Sequence, residues 1–391
     1  MKTRLDNIQQ GKQSPEPLVT LIMPCYNIAP FVKHCVESLL AQTYANWELI
    51  AVDDGSSDDT GSVLDSLAAE ELARATEEGR ANRIRVIHTS NQGAPAARNL
   101  AMEQAQGTYI HFIDGDDWVE PTMLADEVQL AEKYQLQLVV SGFLIETYWE
   151  APQVLDEKGM ASFLVNGAHL TEEKTYRYEV FKSQEAFRRA CYQLFDQNLL
   201  YTPWNKLFLT SYIREHNLQF QSTFWDDFPF VLDYIRDVER VGVIPKTYYH
   251  FLRLRQESET ARWREGMYEK REEEHEWMQS LYKHWGLTDD ANVKELLARR
   301  YVERLVGCVE NIANPACSLL FSQKRAEIRR MISTPQVTEA LQEAQPRSLY
   351  MKMMLGPIRL QAVFLVLLEG RVISAVKRRS TRLFATLKAH R

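Results

Sequence analysis

Three aspartates within four positions form the group in this sequence best suited to chemistry. Residues 109–118 are Tyr-Ile-His-Phe-Ile-Asp-Gly-Asp-Asp-Trp, and the first five positions predict a short buried strand. Asp114, Asp116 and Asp117 follow it, and carboxylates this close repel one another unless a cation or water surrounds them. Oxygen ligands on a turn suit Mg²⁺ or Mn²⁺, which keeps positions for water and substrate phosphates. For this motif alone, a solvated turn that caps the next helix is the alternative.

Further polar residues follow two other predicted strands. Apolar runs at 18–23 and 48–52 predict buried strands, and the residues directly behind them include Pro24, Tyr26, Asn27, Asp53 and Asp54. Strands that alternate with helices in units of about 30 residues predict a mostly parallel sheet covered on both faces. In such sheets, ligands bind beyond the carboxyl ends of the strands. We therefore expect the three polar clusters to share one edge of the sheet.

The remaining elements are predicted from periodicity and from helix-start residues. Further strands are expected at 84–88, 136–142, 241–244 and 248–252. Helices are expected at 30–40, 94–106, 121–134, 183–196 and 203–216, after Asp58, from Asp227 to about Val238, and in a helical pattern from 264 to about 331. The sequence thus predicts an α/β domain followed by a helical C-terminal region.

Composition indicates an ordinary soluble globular protein. The chain has 391 residues, of which 45% are hydrophobic and 25% charged, enough for two or three compact units. A formal net charge of −7 argues against nucleic acid as a partner of the whole chain. Five scattered cysteines without zinc or disulfide spacing favour a reducing cytoplasm. We expect no secretory signal in 1–17 and no membrane span in the short apolar run 360–368.

The C-terminal segment has the opposite charge to the rest of the chain. Residues 345–391 hold ten lysines and arginines and one acid, Glu369, a net of +9 that leaves −16 for the remainder. Apolar and basic residues are mixed along this segment, as in a helix that lies on a membrane surface. The alternative is a helix that packs on the rest of the protein. Membrane attachment would suit an acceptor carried on a lipid.

Four motifs in order resemble those of the family 2 glycosyltransferases, which have the GT-A fold. They are Met23–Asn27, Val52–Ser56, Ala96–Asn99 and Ile113–Trp118. The resemblance is close over about residues 18–145 and weaker to about 260. It implies a nucleotide-sugar-binding half at 18–145 and an acceptor-side half at 146–262. Composition and periodicity add a polar tail at 1–17, a helical region at 263–344 and a basic amphipathic segment at 345–391.

The resemblance implies that a sugar is transferred from a nucleoside diphosphate, usually a UDP-sugar. Tyr26 offers a face for base stacking unless it lies in the core, and Asp53 can accept a hydrogen bond from uracil N3–H. Arg98 supplies charge near the nucleotide, with an ion-pair role as the alternative. Asp114 and Asp116 would hold the metal and the ribose–phosphate region, Asp116 as the direct ligand. The same resemblance assigns nucleotide-sugar binding to Pro24, Asn27, Asp54, Asp117, Arg253 and Arg255. The alternative for Asp53 and Asp54 is a turn that caps a helix, and the alternative for Arg253 and Arg255 is an exposed basic strand end.

An inverting transfer also needs a general base for the acceptor hydroxyl. Asp226 and Asp227 match the family's Glu-Asp pair, with Asp226 in place of glutamate and Asp227 at the position of the base. Aromatic neighbours at Phe224, Trp225 and Phe228 would raise the pKa of Asp227 by desolvation. An acid pair favoured by the helix dipole is the alternative.

These features predict a metal-dependent inverting glycosyltransferase. It would use a UDP-sugar with Mn²⁺ or Mg²⁺ and act on a glycan or lipid-linked acceptor at the inner face of a bacterial membrane, building a cell-surface polysaccharide. A non-catalytic scaffold of a glycan-assembly complex that keeps the nucleotide fold is the alternative. A nicotinamide-dependent oxidoreductase is disfavoured, because no G-x-G-x-x-G follows the first strand.

Overall fold

The structure is a computed structural model that describes residues 16–148, 169–223, 225–254 and 263–379. The chain divides into two compact units. The sheet unit comprises Met1–Phe187 and Gln197–Arg253, and the helical unit comprises Arg188–Asp196 and Leu254–Arg391. Among the residues discussed above, Phe224, Arg255, most of the tail 1–17 and the last part of the basic segment, 380–391, lie outside the described residues.

A ten-stranded sheet organises the sheet unit. Its strands are β1 Val19–Cys25, β2 Trp47–Asp53, β3 Ile84–His88, β4 Tyr109–Phe112, β5 Trp118–Val119, β6 Leu138–Tyr148, β7 His169–Lys174, β8 Glu179–Val180, β9 Lys206–Leu209 and β10 Val241–Leu254. The order is β3-β2-β1-β4-β9-β6-β10-β5, with β7 on β6 and β8 on β10. Pairing is parallel from β3 to β4 and antiparallel where β9 joins β4 and β6. The predicted α/β fold is confirmed.

The register of the parallel strands places their polar ends together. Cys25 at the end of β1 is level with Asp53 at the end of β2, and Asp53 is level with His88 at the end of β3. Strand β4 runs beside β1, with Phe112 opposite Ile22, so that Asp114 follows at the same edge. This is the carboxyl edge at which ligands bind in sheets of this kind.

Helices cover the sheet and build the second unit. Those that begin in the sheet unit are α1 Ala29–Leu40, α2 Thr60–Glu78, α3 Ala94–Gln104, α4 Met123–Tyr134, α5 Gln184–Asp196, α6 Thr210–Glu215 and α7 Asp227–Ile235. The others are α8 Met267–His284, α9 Ala291–Ala313, α10 Phe321–Ile332, α11 Pro335–Glu343, α12 Leu349–Arg359 and α13 Val363–Arg379. The predicted helical C-terminal region is confirmed. None of the helices in the described ranges is long and apolar enough to cross a membrane.

The prediction of one helix over 203–216 is wrong. Lys206–Leu209 forms β9, which enters the sheet between β4 and β6, and only Thr210–Glu215 is helical. Leu207 and Phe208 point to opposite faces of the sheet and both are buried. A central strand covered on both faces has a continuous apolar run, which periodicity alone cannot distinguish from a buried helix. The two short strands predicted at 241–252 are likewise one long strand, β10.

Candidate active site

Arg98 brings three carboxylates together at the carboxyl edge of the sheet. Its side chain, on α3, is only 6% exposed. Nη2 donates to Oδ1 of Asp114 at 2.8 Å, and Nη1 donates to Oδ2 of Asp226 at 2.8 Å. Nη1 also lies 3.0 Å from Oδ1 of Asp227. One guanidinium therefore joins the acid that follows β4 to the two acids at the start of α7.

Two stacked aromatic rings lie beside the guanidinium of this ion cluster. The guanidinium carbon of Arg98 lies 5.2 Å from the centre of the Phe220 ring, which stacks on Phe230 with centroids 4.0 Å apart. Asn99, next to Arg98, holds Phe220 by two hydrogen bonds of 2.8 Å to its backbone. Trp225, just before the acid pair, has a φ of +61°, which is strained for a bulky residue. The site thus keeps charged groups in a largely apolar setting.

Burial changes the protonation of the acids at the start of α7. It raises the pKa of Asp227 to about 7, although the charge of Arg98 opposes the shift. It also raises the pKa of Asp226, again against Arg98. Oδ1 of Asp227 is buried and lies 3.0 Å from Nη1 of Arg98, but their geometry does not make a hydrogen bond. Asp227 therefore has an oxygen that can take a proton near neutral pH.

Lys206 is a buried basic side chain near this acid. Its Nζ donates to the carbonyl of Thr202 at 2.5 Å and to Oδ1 of Asn205 at 2.7 Å. Burial lowers the pKa of Lys206 well below its usual value, while the charge of Asp227 opposes that shift. Lys206 and Asn205, expected at a helix start, instead lie at the start of β9, and Trp204 packs in the core against Tyr249.

The Asp-Gly-Asp-Asp turn separates its carboxylates into two groups. Burial and repulsion by Asp114 raise the pKa of Asp116 to about 6. Asp117 instead lies in the interior, where Oδ2 accepts from the Tyr249 hydroxyl at 2.6 Å and Oδ1 from the backbone N–H of Leu252 at 2.7 Å. A Cβ on Gly115 would lie 2.5 Å from Cδ1 of Ile28, so a larger residue there would require the Ile28 side chain to move. Asp114 and Asp116 remain as candidate ligands, while Asp117 holds β10.

Asp53 is held ionised at the end of β2. Burial opposes its charge, but hydrogen bonds from Ser56 and His88 outweigh this and keep the pKa of Asp53 below its usual range. The backbone N–H of Ser56 donates to Oδ1 at 3.1 Å, and Nδ1 of His88 lies 3.0 Å from Oδ2. Nε2 of His88 is also 3.0 Å from Asp65. His88, absent from the sequence prediction, thus positions Asp53.

The other predicted nucleotide residues at this edge differ in exposure. Tyr26 is 50% exposed, so its ring is not in the core. Asn27 has a φ of +51°, and its side-chain oxygen accepts from the backbone of Ser57 at 2.8 Å. Asp54 is buried, and its two oxygens accept from Thr89, Gln92 and Gly93 in the loop before α3. Asp54 therefore shapes that loop.

Two residues of β10 complete the account of the predicted site. The guanidinium carbon of Arg253 lies 5.6 Å from the ring centre of Phe251, which stacks on Trp204. His250 lies within 3.1 Å of both Glu146 and Glu120 and stacks on Trp118 with centroids 3.3 Å apart. These contacts give His250 a structural role. Among the described residues, no group of three or more His, Cys, Asp or Glu side chains is arranged to hold a metal.

Known proteins with a related sequence decide the family. Residues 20–185 match the sequence profile described as Glycosyl transferase family 2. EpsJ of Bacillus subtilis (strain 168), named as a glycosyltransferase, is 32% identical over 340 residues, which are 83% of this chain and 86% of EpsJ. The chain belongs to the family 2 glycosyltransferases. TuaG of the same organism, whose name assigns it to teichuronic acid biosynthesis, is 40% identical over 103 residues, 26% of this chain and 37% of TuaG.

A solved structure shares the fold. The crystal structure of residues 1–349 of TarS from S. aureus, in complex with UDP-GlcNAc, has a TM-score of 0.53 and 17% identity and covers 92% of this chain and 91% of that chain. The GT-A-type fold predicted for this glycosyltransferase is thereby confirmed.

The structure also adds residues that the sequence analysis missed. No sequence motif marked Phe220, Tyr249 or His88. Asn99 lies in the family motif Ala96–Asn99, but no role was predicted for it.

Proposed function

We propose that this glycosyltransferase moves a sugar from a UDP-sugar to a hydroxyl of a glycan or lipid-linked acceptor, with inversion at the anomeric carbon. The observation that carries the proposal is the cluster around Arg98, which joins the acid after β4 to the acids that begin α7. A donor-side acid and a candidate base thus lie within reach of one guanidinium. The TarS complex with UDP-GlcNAc supports a UDP-sugar donor.

In this proposal the nucleotide lies at the ends of β1 and β2. Ionised Asp53 accepts from uracil N3–H, and the exposed ring of Tyr26 stacks on the base. Pro24 and Asn27 shape the same edge, and Arg253 contacts the diphosphate. Arg255 lies outside the described residues. The oxygens of Asp54 and Asp117 accept hydrogen bonds from other groups of the protein, so these two residues position the binding residues and do not contact the nucleotide.

The residues after β4 fit a divalent cation. Asp114 and Asp116 are hard oxygen donors whose mutual repulsion, with burial, raises the pKa of Asp116, and a cation would relieve that repulsion. Two carboxylates leave coordination positions for the diphosphate and water. A bound Mg²⁺ or Mn²⁺ would neutralise charge on the departing UDP. The chain's own contribution is to hold Asp114 in place through Arg98.

Asp227 is the proposed general base. As the acceptor oxygen bonds to the anomeric carbon and the bond to the β-phosphate oxygen breaks, the hydroxyl proton passes to Asp227 and UDP leaves. Oδ1 of Asp227 lies 3.0 Å from Nη1 of Arg98 without making a hydrogen bond to it, and a pKa of about 7 suits this carboxyl to take that proton. Arg98 offsets the negative charge of Asp227 before the transfer. We propose bacterial cell-surface polysaccharide as the product and a peripheral site on the cytoplasmic face of the membrane as the location.

The proposal is tested by UDP release from a panel of UDP-sugars with Mn²⁺ or Mg²⁺. We expect one donor to give UDP above background and UDP to bind in calorimetry when the cation is present. The non-catalytic scaffold is the second candidate. A folded protein that neither releases UDP nor binds UDP with Mn²⁺ would favour the scaffold and overturn the proposal.

The raised pKa of Asp227 predicts how activity depends on pH. A base must be deprotonated, so kcat/KM should fall as pH decreases through about 7, by about tenfold per pH unit below it. The measurement is kcat/KM for UDP release between pH 5.5 and 8.5 at constant ionic strength. The residual activity of Asp227→Asn, which has no titrating carboxyl there, should lack this acidic limb. A flat wild-type profile across this range would contradict Asp227 as the base.

A further inference from the structure

Helix α13 of the helical unit has apolar side chains on two opposite faces. Its inner face is buried through Val363, Val366 and Leu367. Gly370 on the same face lets α13 approach α9 closely, since an added Cβ would lie 3.0 Å from Ala313 and 3.2 Å from Val309. The inner face is therefore part of the core of this unit and cannot leave it without unfolding.

The outer side of the same helix is apolar but exposed. Its large hydrophobic side chains, with the residue that precedes the helix by one turn, are between 46% and 78% exposed; they are Leu360, Phe364, Leu365, Leu368 and Val372. Three of those on α13, Phe364, Leu368 and Val372, recur at every fourth position, which aligns them along one side of the helix. An exposed apolar stripe of this extent marks an interaction surface.

Exposed apolar residues at the start of α10 lie next to this stripe. Leu320 and Phe321 are exposed, although both are large and apolar. The guanidinium carbon of Arg371 on α13 lies 5.4 Å from the ring centre of Phe321, so the two groups adjoin. We call Leu320, Phe321 and the exposed apolar residues 360–372 the outer apolar surface. This surface belongs to a folded helical unit, and the described helices that carry it are not long and apolar enough to span a bilayer.

The charge around the outer apolar surface indicates what covers it. Lys352, Arg359 and Arg371 are exposed on α12 and α13. Lys377, Arg378 and Arg379 are the last three residues of α13, and the segment 345–391 carries +9 against −16 elsewhere. A second copy of this segment would bring like charges together, whereas an anionic lipid surface complements both the charge and the apolar residues.

We propose that the outer apolar surface docks on anionic phospholipid, with its apolar side chains at the level of the headgroups and the surrounding basic residues beside the phosphates. This inference deepens the peripheral location that forms part of the proposed function. Its evidence is separate from the site around Arg98. Vesicle binding and UDP release can consequently fail independently of each other.

The test is flotation of the full-length protein with vesicles of phosphatidylcholine, alone or with phosphatidylglycerol. We expect binding to the phosphatidylglycerol vesicles, weakened by salt, and little binding to pure phosphatidylcholine. The double variant Phe364→Glu/Leu368→Glu should reduce binding at least about tenfold, because both charges would enter the headgroup region. The matched control is Leu72→Glu, which changes an equally exposed leucine on α2 of the sheet unit and should bind like the wild type.

A second measurement does not depend on charge-reversed variants. The five native cysteines are all buried, so Leu368→Cys can be labelled with an environment-sensitive fluorophore. Its emission should shift to the blue with phosphatidylglycerol vesicles, whereas a label at Leu72→Cys should not respond. UDP release by Phe364→Glu/Leu368→Glu with a water-soluble acceptor should equal that of the wild type.

Three outcomes would overturn the proposal. The wild type could fail to bind phosphatidylglycerol vesicles at low salt. The double variant, folded by circular dichroism, could bind as well as the wild type. The wild type could instead be a dimer by light scattering that binds no vesicles, with Phe364→Glu/Leu368→Glu a monomer. That result would make a second copy of the chain the partner of this surface.

Discussion

Asp227→Asn should lower kcat for glycosyl transfer by about 10²–10⁴-fold, the usual contribution of a general base. The amide keeps the size of the side chain but cannot take the acceptor proton. The measurement is steady-state UDP release with the preferred donor and acceptor, together with calorimetric binding of UDP. We expect UDP affinity to change little, because the nucleotide is proposed to lie at the ends of β1 and β2.

The control for this variant lies on the same helix. Asp233 is part of α7 and pairs with Arg236 at 3.2 Å on the partly exposed side. Asp233→Asn should therefore leave kcat within about twofold of the wild type, as expected of a surface ion pair. Loss of activity in Asp226→Asn, with full activity in Asp227→Asn, would move the role of base to Asp226.

Arg98→Met should destabilise the protein by about 3–5 kcal/mol, the usual cost of removing one partner from a buried ion cluster. Methionine has a similar length but leaves Asp114, Asp226 and Asp227 without the cation that lies within 3.0 Å of each. The measurement is the free energy of unfolding from urea titration. Without the guanidinium the carboxylates repel one another, so their pKa values rise and they destabilise the fold when ionised.

That sign gives a pH test and an exposed control. The destabilisation in Arg98→Met should be larger at pH 8 than at pH 5.5, because protonation at the lower pH removes the repulsion. Arg74→Met removes a half-exposed arginine that lies 3.9 Å from Glu71, and its expected cost is about 0–1 kcal/mol at either pH. A cost for Arg98→Met as small as that of Arg74→Met would contradict the structural role of this cluster.

The sequence by itself determined the elements and the edge of the sheet at which chemistry is expected. Apolar runs ending in polar residues predicted β1, β2 and β4 to within a few residues, and alternation with helices predicted that Asp53 and Asp114 lie at the same edge of the sheet. These features are local, because burial of a whole strand requires consecutive apolar side chains whatever the rest of the chain does. The family motifs could also be found in the sequence, because each one is a run of consecutive residues.

Only the tertiary structure decided which polar side chains face the site. Arg98 and Asp226 are 128 residues apart, and no spacing predicts that they meet. Asp54 and Asp117 have the same residue type as their neighbours in the motifs, yet both turn inward to bond backbone and hydroxyl groups. β9 was predicted as part of a helix, because its burial depends on β4 and β6 on either side. A buried carboxylate must find donors wherever packing supplies them, and that choice depends on the complete fold.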